Sequence, residues 1–324
     1  MVKDFTVISL FCGGGGSSTG YHMAGFKELL AVDFNKNSIE TMRANYYFPI
    51  LEADITKLTS AEIMKFANIK KGELDILDGS PPCQGFSLCG SRNVGNSKNE
   101  LYLEYIRILN DLQPKIFVME NVKGMVIGKF KSIFNKMIAD LKNTNYVVKC
   151  KLMNAMYYGI PQNRARLIFI GVRKDLNLDP VFPTPSNKTI SVKQAFAGLV
   201  NDNSEIEEAY NTVKKSIKDI LPLMGAGESA SKYTNGVKFF NVCKNHFVRP
   251  SYTITKYIDI CHYSKNRAHT RKELKILSSF PENYKFIGNL HAVYARIGNS
   301  VPPLLICRIA KKLKEDILGK AITI

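Results

Sequence analysis

The feature that most constrains the fold is an alternation of strand-like and helix-like segments through residues 7–173 of this chain of 324 residues. Short apolar runs typical of buried strands begin near residues 7, 29, 49, 74, 114, 146 and 166. Helices are predicted in several of the longer segments between them, among them residues 101–112 and 131–142. This alternation predicts an α/β fold with an open, mostly parallel sheet and helices on both faces.

The character of the sequence changes after Arg173. Residues 179–185 form a proline-punctuated linker, and the weakly patterned, polar stretch from 187 to 245 predicts a small, irregular second domain. Apolar positions then recur with helical spacing between Pro302 and Ile317, so a C-terminal helix is predicted there.

The net charge of +17, with a pI of about 9.5, indicates a polyanionic partner. Between residues 238 and 275 there are nine Lys or Arg and two acids, which is typical of a strip that faces phosphates. The alternative explanation is a lysine-rich coding bias that decorates any protein surface.

Other features of composition narrow the class of protein. Seven cysteines without paired spacing indicate reduced thiols and a cytoplasmic location. The five histidines are scattered and no CxxC pair is present, so no metal site is expected. No apolar run reaches the roughly 20 residues that a membrane-spanning helix needs.

Cys83 lies in the run Gly-Ser-Pro-Pro-Cys-Gln-Gly-Phe-Ser, directly after the predicted strand 74–77. Prolines fix the backbone and lack an N–H donor, so this loop should be stiff and should direct the thiol. A lone cysteine is more often a small apolar core residue. The proline context, together with the sites described next, favours a nucleophile.

A glycine loop follows the first predicted strand. Phe11 precedes Gly13, Gly15 and Gly16, and glycines allow a ligand to approach the backbone closely. Asp33 ends the next strand, where a carboxylate is expected to hold ribose hydroxyls. The loop alone would also suit NAD, FAD or a nucleotide phosphate, although no Gly-Lys-Ser/Thr follows it.

Polar residues at the ends of other predicted elements complete the set of candidates. Asp54, next to Ile55, could contact an adenine or could form a turn. Glu120 follows a buried strand, at the crevice edge of such a sheet. Arg164 and Arg166 are spaced by one residue at the start of a strand, so their side chains should point the same way. The alternative for Glu120 is a solvated acid at the rim of the fold, and the alternative for the two arginines is an exposed strand edge.

In these residues the chain resembles the DNA (cytosine-5)-methyltransferases of bacterial restriction–modification systems. The resemblance covers residues 8–173 and the segment from 249 to the C-terminal helix, and the stretch 174–248 is unmatched. Five motifs occur in the family's order: Phe11–Gly16, Pro82-Cys83-Gln84, Glu120-Asn121-Val122, Gln162–Arg166 and Gly298–Pro302.

The resemblance implies how the reaction would run. Cys83 would add as a thiolate to carbon 6 of a cytosine that has been flipped out of the DNA duplex. Glu120 would bind the ring nitrogen and the exocyclic amine, Arg166 would hold the base carbonyl, and Arg164 would support the loop. The methyl donor would be S-adenosyl-L-methionine, transferred to carbon 5. The cofactor-binding residues implied are Phe11, Gly13, Gly15, Gly16, Asp33, Phe34, Asp54, Ile55, Leu101, Asn299 and Ser300.

The resemblance also implies an organisation and partners. A Rossmann-like catalytic domain would occupy residues 1–183, a target-recognition domain 184–280, and a returning segment 281–324, with the DNA cleft between the domains. Double-stranded DNA would be the substrate and the protein would be a monomer. It would either be paired with a cognate restriction endonuclease encoded nearby or be a solitary methyltransferase. Lys238, Lys244, Asn245 and His246 are candidate DNA contacts, and a solvated face is the alternative.

Three other functions remain to be weighed. A tRNA cytosine-5 methyltransferase shares the motifs, but its Cys-Phe-Thr signature is absent here. A nicotinamide-dependent oxidoreductase would use the glycine loop and Asp33 but would leave Cys83 and Glu120 unexplained. A non-catalytic DNA-binding remnant would not need these residues. One departure from the family is Lys98, which stands where the loop after the cysteine usually has arginine.

Overall fold

In the computed structural model, the described residues are 4–82, 101–126, 130–234 and 242–322. The chain forms two compact units. The first unit consists of Met1–Met153, Ala165–Thr184 and Ile306–Ile324, and the second unit of Asn154–Arg164 and Pro185–Leu305. Residues 281–305 therefore group with the second unit, whereas the predicted returning segment begins at 281. The functional boundaries at 183 and 280 stay a prediction.

The first unit is built on a seven-stranded sheet, which confirms the predicted fold class. The strands have the order β3-β2-β1-β4-β5-β7-β6, and β7 runs antiparallel to β5. The pairs formed among β1 to β5 are all parallel. The strands are β1 (Thr6–Leu10), β2 (Lys27–Asp33), β3 (Ile50–Glu52), β4 (Ile76–Gly79), β5 (Ile116–Val122), β6 (Tyr146–Asn154) and β7 (Ala165–Arg173).

The helices of the first unit alternate with these strands. Helices are present at the predicted positions 101–112 and 131–142, and the described part of the chain resumes at the first residue of the former. The helix after β3 was not predicted, although Thr59 and Glu62 form a capping box at its start. The helices are α1 (Gly16–Met23), α2 (Lys36–Arg43), α3 (Ser60–Ala67), α4 (Leu101–Leu112) and α5 (Lys131–Lys142).

The strand order creates a switch point between β1 and β4. The chain leaves β1 toward β2 on one side, and β4 lies on the other side, with Leu10 opposite Gly79. In open α/β sheets, ligands bind beyond the carboxyl ends of the strands at such a point. The glycine loop after β1 and the Pro81-Pro82 segment after β4 therefore begin side by side.

The second unit contains short helices and one small sheet. Glu273 lies near its centre with 1% of its surface exposed, and it accepts two hydrogen bonds from Arg267, at 2.7 and 2.9 Å. The elements of this unit are α6 (Val192–Ala195), α7 (Asn203–Asn211), α8 (Lys215–Lys218), α9 (Arg271–Leu277), α10 (Leu290–Asn299) and the parallel pair β8 (Cys243–Lys244) and β9 (Ile260–Cys261).

The predicted C-terminal helix is present as α11 (Pro303–Leu313), and a π-helical turn, Lys314–Leu318, continues it. Leu305, Ile306, Ile309 and Leu313 are its buried apolar positions, as the sequence indicated. Among the described residues, none of the helices combines the length and the apolar character needed to cross a bilayer.

Candidate active site

The loop between β1 and α1 is held in a conformation that suits glycine. Gly13 and Gly15 have φ angles of 53° and 82°, in the left-handed region where side chains are disfavoured. Phe11 also has a positive φ, 54°, and a strained non-glycine residue of this kind is characteristic of functional sites. Gly15 donates to the Cys12 carbonyl at 3.0 Å, so the turn is tight. Gly16 begins α1 directly after it.

Asp33 connects the end of β2 to this loop. Its Oδ2 accepts a hydrogen bond from the Gly13 amide at 2.8 Å, and its Oδ1 accepts one from the Asn35 amide at 2.8 Å. The next residue, Phe34, is 65% exposed, which is unusual for a large apolar ring. A carboxylate beside an exposed ring matches the hydroxyls and the flat base of an adenosine. The site therefore fits the expected cofactor.

Asp54, Ile55 and Leu101 have different environments. Asp54 Oδ1 accepts hydrogen bonds from the Thr56 amide at 3.0 Å and from its hydroxyl at 2.8 Å, and these bonds lower the pKa of Asp54. Asp54 therefore does form a turn, which was the alternative to an adenine contact. Ile55 is 5% exposed in the core of the first unit, and Leu101 packs against that core. Adenine binding by the three residues stays a prediction.

Glu120 and Arg166 meet at the end of β5. Glu120 Oε1 lies 2.8 Å from Arg166 Nε, and both side chains are close to 90% buried. Ile168 on β7 lies directly opposite Glu120, and Arg166 is two residues from Ile168, so the two charged side chains share one face of the sheet. The structure thus brings together a hydrogen-bond acceptor and a planar donor, as a site for a pyrimidine ring requires.

Arg164 does not point with Arg166, so that expectation is wrong. β7 begins at Ala165, and Arg164 therefore lies outside the strand. Its side chain is buried, and its guanidinium donates to the carbonyl oxygens of Ile254, Gly298 and Ser300 at 2.7–2.9 Å. These contacts position the backbone of the second unit. They are consistent with a supporting role and not with contact to a reacting atom.

Cys83 lies outside the described residues, as does Lys98. The chain is described up to Pro82, where it leaves β4. Asn121, next to Glu120, directs its Nδ2 toward the Pro81 carbonyl at 3.5 Å. The backbone two residues before Cys83 is therefore next to the end of β5, where the Glu120–Arg166 pair lies.

Asn299 and Ser300 lie at the end of α10, in the second unit. Asn299 is exposed, and Ser300 Oγ donates to the Arg296 carbonyl at 2.7 Å. Their place beside the glycine loop stays a prediction.

Two of the candidate DNA contacts are wrong, because their side chains are buried in the second unit. Lys244 is 4% exposed and donates to Asn266 Oδ1 at 2.9 Å. Asn245 is fully buried and donates to Ser251 Oγ at 2.8 Å. His246 is partly buried and packs on the ring of Tyr252. Lys238 lies outside the described residues.

Sequence reasoning missed two buried acids beneath α1, Glu28 and Asp78. The available signal was an acidic residue next to apolar residues within each of two strands. Such a residue is rarely buried unless it is paired or serves a function.

Comparison with known proteins gives a family match over most of the chain. The family model described as C-5 cytosine-specific DNA methylase matches residues 5–315. The type II methyltransferase M1.HphI of Haemophilus parahaemolyticus is 34% identical, over 95% of this chain and 86% of that protein.

Two crystal structures are similar to the chain. One is a prophage-encoded E. coli protein assigned as a DNA modification methyltransferase, with 25% identity, a TM-score of 0.80 and coverage of 98% and 100% of the two chains. DNMT2 of Spodoptera frugiperda shares the fold, with a TM-score of 0.70, 21% identity and coverage of 96% and 100%. With the glycine loop, the paired Glu120 and Arg166 and the family match across nearly the whole chain, this protein belongs to the C-5 cytosine-specific DNA methylases.

Proposed function

We propose that this member of the DNA cytosine-5 methyltransferase family methylates a flipped cytosine, with Cys83 as nucleophile and the Glu120–Arg166 pair as the binding site for the base. The paired geometry of Glu120 and Arg166 is the observation that carries the proposal. A buried acceptor and donor on one sheet face match the polar edge of a cytosine. Because the two groups pair with each other at 2.8 Å, they can stay buried in the free protein, and the carboxylate and the guanidinium each have further hydrogen-bonding capacity for a base.

The chemistry requires a nucleophile because carbon 5 of cytosine is itself a poor one. Addition of the Cys83 thiolate at carbon 6 makes carbon 5 electron-rich, so that it can form a bond to a methyl group. Glu120 binds the ring nitrogen and the exocyclic amine, which stabilises the adduct, and Arg166 binds the carbonyl oxygen. Loss of the carbon 5 proton and elimination of the thiolate then restore the aromatic ring and the free enzyme.

S-adenosyl-L-methionine supplies the methyl group when it is bound. We place its methionine and ribose against Phe11 and the glycine loop, its ribose hydroxyls at Asp33, and its adenine near Phe34, Asp54 and Ile55. We also assign Leu101, Asn299 and Ser300 to cofactor binding, as the family resemblance implies. Support comes from the exposed ring of Phe34 and from the hydrogen bond between Asp33 and Gly13.

We propose double-stranded DNA as the substrate, and in a duplex the cytosine has to leave the stack to reach the nucleophile. The net charge of +17 supports binding to phosphates. By analogy with relatives named as type II methyltransferases, we propose that the chain acts as a monomer in the cytoplasm beside a cognate restriction endonuclease. The domains would be 1–183, 184–280 and 281–324. The DNA-modifying relatives favour DNA over tRNA as the substrate.

Replacing Asp33 with alanine should weaken binding of S-adenosylmethionine by roughly 10- to 100-fold, because a hydrogen bond to a charged group contributes about 1.5–3 kcal/mol. Isothermal titration calorimetry measures the Kd directly. Glu40→Ala, at an exposed acid of α2, is the matched control and should bind like the parent. An Asp33→Ala variant that folds and binds with parental affinity would contradict the placement of the ribose.

Covalent trapping tests the nucleophile. DNA containing 5-fluorocytosine should form a stable adduct with the protein in the presence of S-adenosylmethionine, because fluorine at carbon 5 blocks the final elimination. The adduct should disappear in Cys83→Ala and persist in Cys150→Ala, which removes a half-buried thiol of β6. Trapping that survives in Cys83→Ala would show that a different residue attacks the base.

A further inference from the structure

Two carboxyl groups are buried beneath α1 in the first unit. Glu28 on β2 is 3% exposed, and Asp78 on β4 is 4% exposed. Val7 lies opposite Glu28 and Ser9 lies opposite Asp78, so both acids occupy the same face of the sheet. Neither acid has a role in the mechanism given above.

Hydroxyl groups of α1 bind both acids. Ser18 donates to Glu28 Oε1 at 2.8 Å, and the Tyr21 hydroxyl donates to Asp78 Oδ1 at 3.1 Å. The Ser17 hydroxyl also hydrogen-bonds to Asp78. Since α1 begins directly after the glycine loop, these contacts connect the acids to the first turns of the helix that follows the cofactor site.

Within the described part of the chain, no Lys or Arg forms an ion pair with either acid. The nearest basic group is His22, whose Nε2 lies 3.9 Å from Glu28 Oε2, and burial lowers the pKa of this histidine. Burial raises the pKa of Asp78 to about 7 and that of Glu28 to about 8. Both groups therefore change their charge near neutral pH.

Burying these two acids without a Lys or Arg partner among the residues that the structure describes lowers the free energy of unfolding at neutral pH. The unfolded chain releases protons from these acids near pH 4, whereas the folded chain keeps them up to pH 7–8. Stability therefore falls as the pH rises through this interval. Perturbed acids that are retained despite such a cost cluster at functional sites.

The electrostatic influence of the two acids reaches the glycine loop. The thiol of Cys12, within that loop, has its pKa raised by burial and also by the charges of Asp33, Glu28 and Asp78. Asp78 is followed by Gly79, which lies opposite Leu10, the last residue before the loop begins. A charge on either acid therefore changes the electrostatic potential where we place the cofactor.

We propose that Glu28 and Asp78 set the preference of the cofactor site for S-adenosylmethionine over its demethylated product, S-adenosylhomocysteine. This inference rests on the proposed position of the cofactor at the glycine loop. Methyl transfer breaks the bond between sulfur and the methyl carbon, forms a bond to carbon 5 of the base, and converts a cationic sulfonium into a neutral thioether. Negative charge beneath the loop favours the cation and has no such effect on the product.

The preference for S-adenosylmethionine should increase with pH. Raising the pH from 6 to 9 ionises both acids, so the ratio of the Kd of the product to the Kd of S-adenosylmethionine should rise roughly three- to tenfold, the size expected for a charge pair at an intermediate effective dielectric. The two ligands share their adenosine group, so titration of that group cancels in the ratio. Their amino groups titrate differently because only one ligand carries a sulfonium, and comparison with the variant that lacks both acids removes this contribution.

The phenols and the thiol near the two acids do not change their charge between pH 6 and 9. Burial raises the pKa of Tyr21, Tyr46 and Tyr105, so these phenols stay neutral in the interval. Burial also keeps Cys12 protonated. The titratable or charged groups that interact with the two acids are Cys12 of the loop, Tyr21 and His22 of α1, Tyr46 after α2, Tyr105 of α4 and Glu120 of β5.

The test is calorimetric titration of the full chain with S-adenosylmethionine and with S-adenosylhomocysteine at pH 6, 7, 8 and 9. The parent should show the rise in the affinity ratio, and the isosteric double variant Glu28→Gln, Asp78→Asn should abolish it. Asp75→Asn is the matched control, since Asp75 is a buried acid near the opposite end of β4 that pairs with Lys115 at 2.7 Å. This control should keep the rise even if it is less stable.

Three results of these titrations would contradict a role for the two acids in cofactor preference. A ratio that is constant with pH in the parent, or a rise that persists in the double variant, would overturn the inference. If the double variant does not fold, each single variant should remove part of the rise, and two single variants with the full rise would also overturn it. Failure of the parent to bind either ligand would contradict the proposed cofactor site and this inference with it.

Discussion

Replacing Glu120 with glutamine is expected to lower kcat for DNA methylation by about 100- to 10,000-fold, the range that a positioned acid–base group contributes. Glutamine keeps the volume of the side chain but cannot transfer a proton to the ring nitrogen. It also cannot accept a charge-assisted hydrogen bond from the exocyclic amine. It also removes the ionic partner of Arg166, 2.8 Å away. The KM for DNA should change much less, because phosphate contacts supply most of the affinity.

The measurement is the rate of methyl incorporation into DNA under single-turnover conditions. Glu40→Gln removes an exposed carboxylate on α2 of the same unit and should retain the parental rate. A Glu120→Gln rate within threefold of the parent, in a folded protein, would show that the Glu120–Arg166 pair serves only to connect β5 with β7.

Replacing Gly298 with alanine should destabilise the second unit by roughly 3 kcal/mol, the upper part of the usual range for overpacking. The added Cβ would overlap the backbone carbonyl of Thr255 and the amide nitrogen of Lys256. Backbone atoms cannot move aside as a flexible side chain can. The shift would also disturb the Gly298 carbonyl, which accepts a hydrogen bond from Arg164 at 2.7 Å.

Thermal and urea unfolding measure this effect. His291→Ala, at an exposed position of the same helix α10, is the control and should stay within about 0.5 kcal/mol of the parent, as surface substitutions usually do. Parental stability of Gly298→Ala would contradict the close approach of α10 to the 255–256 backbone.

The sheet and its longest helices could be predicted because local patterns specify them. Helices α4 and α5 have apolar periodicity, and both are present where the sequence predicts them. Helix α3 was missed because it is short, although its capping box, Thr59 to Glu62, was readable in the sequence. Asp33 was placed correctly at the end of β2, since the carboxyl ends of parallel strands meet at one edge, whereas β5 continues two residues past Glu120, to Val122.

Contacts between residues distant in sequence could not be predicted. Arg164 binds carbonyl groups 90 to 136 residues away, and nothing in the local sequence specifies those partners. Lys244 and Asn245 look like surface residues by composition, yet their hydrogen bonds to Asn266 and Ser251 bury them. The partners of Glu28 and Asp78 depend in the same way on how α1 packs on the sheet.

The most direct test of the central claim is expression in a host that lacks cytosine methylation, followed by bisulfite sequencing of the host DNA. The parent chain and Cys150→Ala should protect cytosines within one short sequence motif, and Cys83→Ala should protect none. Protection that persists in Cys83→Ala, or no protection by a folded parent that binds S-adenosylmethionine, would contradict the assignment of Cys83-dependent DNA methylation.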